Sequence, residues 1–269
     1  MSFLMISVYV LLATAFFSAA LTFLLIRLDR KKHQAVVGKR RVPPFGGLAI
    51  FISFWAGFFF LFPTLLFNSS QWMMFIASSV ILLTGVIDDI VALKPYQKSI
   101  GIFLAANIVY FMADIEFSTA LLPTISPEIF NVLSYVLTIV WIYFVTNAIN
   151  LLDGLDGLAS SVSIVSLLTL AITTYFFSLS VRIAFLMMLL LLAAAMLGFL
   201  PFNWYKAKIY LGDTGALFIG FMYATLTVTN LKNASFFSLI VPIILYIVPL
   251  FDTAFAIFSR LMTGRSPIE

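Results

Sequence analysis

Residues 1–32 read MSFLMISVYVLLATAFFSAALTFLLIRLDRKK, an apolar run over positions 3–26 that stops at a basic cluster. At 1.5 Å rise per residue, roughly 24 residues of helix reach about 36 Å, more than the ~30 Å hydrocarbon thickness of a bilayer. A signal-peptide core holds only about 7–15 apolar residues. The stretch therefore reads as a retained membrane helix, and that reading decides the class of the chain, because the pattern recurs along it.

Apolar residues make up 63% of the 269 positions, charged residues 10%, and Phe alone contributes 30. A soluble domain carries about a quarter charged residues, and only Arg27 to Arg41 approaches that density. The absence of cysteine excludes a disulfide framework and Cys-based zinc or redox chemistry, and the single His33 excludes a histidine-rich metal site within these residues. No internal repeat or low-complexity tract divides the chain, so residues 1–269 are expected to form one integral membrane domain.

Spanning or nearly spanning runs fall at about 3–26, 45–66, 71–90, 99–113, 129–149, 158–178, 181–200, 214–230 and 235–258, which predicts an all-α, polytopic protein with about nine transmembrane helices. If residues 27–44 are cytoplasmic, alternation puts 91–98, 150–157, 201–213 and 259–269 on the same side. That side then holds 13 of the 15 Lys and Arg, leaving Arg182 and Lys232 outside, while the external 114–128 connection carries Asp114, Glu116 and Glu128. The positive-inside bias thus predicts an external N-terminus and polar loops that face the cytoplasm.

The same alternation gathers three acid clusters at one membrane face: Asp88-Asp89, Asp153 with Asp156, and Asp213. Acids are scarce here and costly near lipid, so their convergence marks a candidate site. Asp88-Asp89 closes the third run in TGVIDDIVALKPYQK; neighbours on a helix point about 100° apart, so the pair can flank a cation but not both address one atom. Lys98 follows as an anion contact or a membrane anchor. In NAINLLDGLDGLA, Asn147, Asn150, Asp153 and Asp156 recur every third residue, while Gly154 and Gly157 point to a loop that enters a helix whose N–H groups can hold an anion. A glycine-bearing turn with Asx caps is the plainer reading. KIYLGDTGALFIGF begins the eighth run, where Asp213 alone reads as a helix N-cap. Upstream, Asn203 and Tyr210 offer an amide and an aromatic face. Asp252 lies deep in the last run and calls for a partner such as Arg260.

Several carboxylates brought together without counter-charge would be protonated or destabilising. A hard cation held by carboxylates and substrate phosphates resolves the conflict. Basic residues at the same level suit diphosphate or lipid phosphate, so the combination points to phosphoryl transfer onto a lipid.

Five strings in order, PPFGGLAIF, GVIDDI with Lys98, NAINLLDGLDGLA, PFNWYKAKIYLGDTGAL and VPLFDTAFAIFSRLMTGRSP, resemble the polyprenyl-phosphate N-acetylhexosamine-1-phosphate transferases, a glycosyltransferase family 4 type of enzyme. The resemblance implies that a polyprenyl phosphate such as undecaprenyl phosphate attacks the β-phosphate of a UDP-N-acetylhexosamine. The products are a polyprenyl-diphosphate sugar and UMP, the cofactor is Mg²⁺ (or Mn²⁺), and the product feeds cell-envelope polysaccharide, lipopolysaccharide or teichoic acid synthesis. By position, Asp213 resembles the metal-binding acid of the GDTG motif and Asp88 and Asp89 the acid pair, which are catalytic and metal-binding in this reading. Lys98, Asn150, Asp153, Gly154, Leu155, Asp156, Asn203, Tyr210 and Arg265 match substrate-binding positions, with Tyr210 stacking on uracil. The implied surroundings are the bilayer of the cell membrane with the active site facing the cytoplasm, without nucleic acid, and with room for a homodimer.

The NLLDGLDGLA and PPFGGLAIF forms resemble the GlcNAc-1-phosphate branch more than the phospho-MurNAc-pentapeptide branch, which stays as the alternative. Two departures stand out: the spacing from His33 to Gly46-Gly47 is longer than the family's, and the family continues past its GRSP segment into a histidine motif and a further helix, which these 269 residues are expected to lack. A CDP-alcohol phosphatidyltransferase would need Ala-Arg soon after the first Asp-Gly, whereas Leu-Ala-Ser-Ser follows Asp156-Gly157. A transporter would gather its polar residues at the membrane midplane. An inactive scaffold is the remaining alternative.

Overall fold

The computed structural model describes residues 3–33, 42–63, 69–117, 126–177 and 183–231. They form eight helices and, among the described residues, no strand: α1 (Phe3–His33), α2 (Gly46–Leu61), α3 (Ser69–Val91), α4 (Pro95–Met112), α5 (Pro127–Leu152), α6 (Leu158–Phe177), α7 (Ile183–Asn203) and α8 (Gly212–Leu231). Each of the first eight expected runs coincides with one of these helices. The ninth, 235–258, lies outside the described residues, as do Asp252, Arg260 and Arg265. Five helices (α1, α3, α5, α6 and α7) contain stretches long and apolar enough to cross a membrane by length and composition.

Local chemistry sets the helix ends that matter to the site. Pro95 stands in the first turn of α4, where a missing N–H costs nothing, and the Gln97 side chain accepts the Lys94 N–H at 2.9 Å. After α5 the chain turns through 153–157, with Gly157 at φ +71°. Gly212 opens α8 at φ +72°, and a Cβ there would lie 1.8 Å from the Pro44 carbonyl oxygen. Both the backbone angle and the space demand glycine.

The centre of the bundle is α8, which packs on α5, α3 and α2 and is buried from Thr214 through Thr229. A helix enclosed on all sides must satisfy its own polar groups. Thr225, Thr227 and Thr229 do so by donating their hydroxyls to the carbonyls four residues back, at 2.7, 2.7 and 2.9 Å. Phe218 meets Phe51 of α2 edge-on at 5.1 Å between ring centroids. At the head of α8 the approach is closer: a Cβ on Gly47 would fall 2.2 Å from the Gly215 nitrogen. Around this centre, α1 lies against α2 and α7, α4 against α3 and α5, and α6 packs chiefly on α7.

Candidate active site

The loops that follow α3, α5 and α7 meet at one end of the bundle, around the first turn of α8. The chain from Pro43 to Gly47 runs beside the 210–211 segment: the Tyr210 N–H donates to the Pro43 carbonyl at 2.9 Å, and the N–H groups of Gly46 and Gly47 donate to the carbonyls of Tyr210 and Leu211 at 3.0 and 3.1 Å. This pairing holds the approach to α8 in register. The three acid clusters expected on one face are therefore at one end of the fold.

Asp88 and Asp89 diverge, as adjacent helical residues must. Asp89 turns to α8: its Oδ1 accepts the Asp213 N–H at 2.9 Å, and its Oδ2 accepts the Thr214 N–H and hydroxyl at 3.0 and 2.5 Å. A carboxylate from α3, 124 positions away in sequence, thus supplies the cap that the orphan N–H groups of a helix start require. Asp213 does not cap its own helix, contrary to the simplest reading of GDTG. Its carboxylate is instead engaged by side chains from α4 and α5.

Asp88 turns to the start of α4. Its Oδ1 accepts the Leu93 N–H at 2.7 Å, and its Oδ2 contacts the Lys98 ammonium. Lys98 also donates to Asp213 Oδ1 at 2.8 Å, and the Asn150 amide donates to that same oxygen. A lysine in the first turn of a helix opposes the helix dipole. Two carboxylates offset that cost, so the ion pairs explain the position.

Asp153 follows α5 and is held by the Gly212 backbone N–H. Burial, reinforced by the negative charges of Asp213 and Asp89 and opposed by that hydrogen bond, pushes its carboxyl from 3.8 up to about 7. Two carboxylates, Asp88 and Asp213, share the Lys98 ammonium while Asp89 stands beside them on the α8 N–H groups, so the site carries negative charge that a further cation would neutralise.

The remaining candidates divide by environment. Asp156 Oδ2 accepts the Ala207 N–H at 3.0 Å and ties the 153–157 turn to the 204–210 loop. Asn203 is 2% exposed and engaged at both ends: it accepts from the Ser160 hydroxyl at 2.8 Å and donates to the Ile209 carbonyl at 3.1 Å. Its amide therefore shapes the loop from beneath. Tyr210 is 44% exposed and Leu155 68%, and open space lies where a Gly154 side chain would stand. Asn147, the first residue of the three-residue series, bonds back to the Tyr143 carbonyl at 2.7 Å and does not reach the acids. Sequence reading passed over Thr214 and Ser160, although Thr214 lies inside the quoted GDTG string.

Mg²⁺ sites commonly use one or two carboxylates, with water and phosphate oxygens completing the octahedron. Among the described residues no group of three acids, histidines or cysteines closes on a common point. Asp89 is committed to α8 and Asp88 to Leu93 and Lys98, so Asp88, Asp89 and Asp213 do not form a three-carboxylate cage. The donor set instead fits a metal carried by Asp213, whose side chain is 31% exposed, with phosphate oxygens as further ligands.

Residues 71–230 match the family model described as glycosyl transferase family 4. The chain belongs to that family. Family 4 membership spans α3 through α8 and so includes Asp88, Asp89, Lys98, Asn150, Asp153 and Asp213. A Bacillus subtilis protein named "Probable undecaprenyl-phosphate N-acetylglucosaminyl 1-phosphate transferase" is 34% identical over 90% of this chain, which covers 64% of that relative. The decaprenyl-phosphate N-acetylglucosaminephosphotransferase of Mycolicibacterium smegmatis is 40% identical over 29% of the chain and 22% of its own length. A phospho-N-acetylmuramoyl-pentapeptide-transferase of Staphylococcus saprophyticus is 29% identical over 54% of the chain and 49% of its own length. The chain thus spans less than two thirds of the length of these relatives.

Proposed function

We propose that the protein transfers N-acetylglucosamine-1-phosphate from a UDP-sugar to a polyprenyl phosphate at the cytoplasmic face of a cell membrane, releasing UMP. The observation that carries this reading is the arrangement of Lys98 between Asp88 and Asp213, with Asn150 on the same Asp213 oxygen. It sits among fixed acids, at the bundle end where a lipid phosphate and a water-soluble diphosphate can meet. The names of the Bacillus and Mycolicibacterium relatives support the GlcNAc donor.

In the step itself, an oxygen of the lipid phosphate forms a bond to the β-phosphorus of the donor while the bond from that phosphorus to the bridging oxygen breaks, and UMP leaves. Bound at Asp213, Mg²⁺ would offset charge on the diphosphate and stabilise the leaving group. The protein's part is positioning and electrostatics. Asp89 fixes the first turn of α8 and hence the direction of the Asp213 carboxylate. Asn150 fixes which Asp213 oxygen is engaged. Lys98, held between Asp88 and Asp213, presents its ammonium to a phosphate oxygen of the substrate. A phosphate monoester is already largely ionised at neutral pH, so no side chain is needed to deprotonate the lipid. Tyr210, exposed on a loop pinned through its own backbone, offers an aromatic face to the uracil.

The test is UMP release in lipid micelles with polyprenyl phosphate and Mg²⁺, comparing UDP-GlcNAc with UDP-MurNAc-pentapeptide, on this chain and on a C-terminally extended one. UMP release with UDP-GlcNAc, lost on Asp213→Asn with folding intact, is the expected result. Turnover of Asp213→Asn near the wild-type rate would remove Asp213 from the mechanism, and preference for the pentapeptide donor would overturn the sugar assignment.

A further inference from the structure

The 204–210 loop carries features that the transfer chemistry does not use. Trp204 and Tyr205 are 57% and 76% exposed, and Lys206 and Lys208 beside them are exposed as well. Exposure of this kind in a floppy loop would mean little, but here the backbone is fastened. The Lys208 N–H donates to the Phe202 carbonyl at 2.8 Å, the Trp204 N–H to Leu200 at 2.9 Å, and the Ala207 N–H to Asp156 at 3.0 Å. Asn203 and Ile209, both buried, pin the loop's two ends. The aromatic and basic side chains are thus held outward by a rigid frame.

Position adds the second observation. Trp204 follows directly on α7, one of the helices long and apolar enough to span, and its Cα lies 3.6 Å from where a Cβ on Gly157 would be, at the start of α6. Outward residues of α6 such as Val165, Ile172 and Tyr175 are 56, 57 and 62% exposed, as on a lipid-facing helix. Trp204 and Tyr205 therefore stand at the end of a hydrocarbon-facing pair of helices, the level at which amphipathic aromatic rings settle among headgroups. The neighbouring acid, Asp156, accepts the Ala207 N–H with one oxygen and so fixes the loop on which the two lysines stand.

We propose that Trp204, Tyr205, Lys206 and Lys208 form an interfacial anchor that docks on anionic phospholipid headgroups and holds the mouth of the site at the membrane surface. The rings intercalate at the headgroup level and the ammonium groups meet lipid phosphates. The inference requires that α7 end at a membrane surface; it does not require the transferase reading.

The experiment uses the full chain in nanodiscs of phosphatidylcholine, with and without phosphatidylglycerol, carrying Trp204 as its single tryptophan through Trp55→Phe, Trp72→Phe and Trp141→Phe. Should Trp55→Phe impair folding, the difference between wild type and Trp204→Phe isolates the same emission. Expected is strong quenching of Trp204 by a lipid spin-labelled near the headgroup and weaker quenching by one labelled at the chain end. Phosphatidylglycerol should increase the shallow quenching, and Lys206→Glu with Lys208→Glu, or high salt, should abolish the increase. Quenching by aqueous iodide with none by labelled lipid would overturn the proposal. So would protection of Trp204 by UDP-GlcNAc with no dependence on lipid charge, since the loop would then belong to the donor pocket.

Discussion

Replacing Lys98 with Met keeps the length and apolar stem of the side chain and removes only the ammonium. In the native arrangement that ammonium touches Asp88, whose side chain is 6% exposed, and Asp213, 31% exposed, while itself 18% exposed. At an effective dielectric near 20, a contact of 2.8 Å carries about 6 kcal/mol of Coulomb energy, most of which desolvation of the ions cancels. The variant suffers the reverse: two desolvated carboxylates face each other with their shared partner gone. Removing one member of a fully buried pair costs about 3–5 kcal/mol, and the partial exposure here lowers the expectation to about 2–3 kcal/mol. Asp88→Asn leaves Lys98 its bond to Asp213 and should cost less, and adding it to Lys98→Met should recover part of the loss. A double-mutant cycle read from unfolding midpoints in detergent should therefore give a coupling energy of about 1–3 kcal/mol. If Mg²⁺ binds at Asp213, Mg²⁺ at one hundred times its Kd adds about 2.7 kcal/mol of stability to a protein that binds it, and Asp213→Asn should not respond. Unfolding of Lys98→Met within about 0.5 kcal/mol of wild type, or a coupling energy near zero, would refute the account of Lys98 as the counter-charge that holds the site together.

Asp153 gives a pH signature: its carboxyl is raised from 3.8 to about 7, so the folded state binds more protons than the unfolded one between those values, and its contribution to stability falls as pH rises through that window and levels off above it. Asp153→Asn should flatten this slope in unfolding midpoints measured from pH 5 to 8, and an unchanged slope would exclude Asp153 as its source. Tyr210→Ala should raise the KM for the UDP-sugar more than the KM for the lipid acceptor; equal effects would argue against stacking on uracil. For orientation, the native chain has no cysteine, so single cysteines at Lys94 and Asp114, both exposed, can be labelled in intact cells with a membrane-impermeant maleimide. Asp114→Cys should label from outside and Lys94→Cys only after permeabilisation, and the reverse pattern would invert the topology.

The gathering of the acids was legible because it depends on counting alone: if each apolar run crosses once, loops emerge on alternate sides, and the eight runs that coincide with the eight helices bring Asp88, Asp153 and Asp213 to one end. What each acid does was not legible, for a physical reason. In lipid, a helix face turned to the bilayer is as apolar as one turned to the core, so composition does not say which helices touch. That α3 would deliver Asp89 onto the N–H groups of α8 could not be read from either segment alone. Asn203 illustrates the same limit from the other side. Its place in PFNWY marks it as polar and near the site, but only the fold reveals that Ser160 and Ile209 consume its amide.

Separating the two neighbours in Asp88-Asp89 also explains why a site for a phosphorylated substrate would need both. Asp89 is spent on structure: by capping α8 from outside, it relieves Asp213 of the role that the local sequence would otherwise assign it. Asp88 is spent on charge, holding Lys98 within reach of Asp213. The result is a carboxylate with a fixed direction, a partly exposed side chain and the Lys98 ammonium at its flank, surrounded by more negative charge than the lysine balances. Such a centre would gain most from a ligand that brings cation and phosphate together, because the cation would relieve the acids while the phosphate would take up the lysine. Loss of Asp89 should therefore weaken the site indirectly, by disordering the first turn of α8, whereas loss of Asp213 should remove the anchor itself. The two variants are distinguishable because losing Asp89 uncaps the N–H groups and the Thr214 hydroxyl at the head of α8, whereas losing Asp213 leaves that cap intact and gives up only the contacts with Lys98 and Asn150.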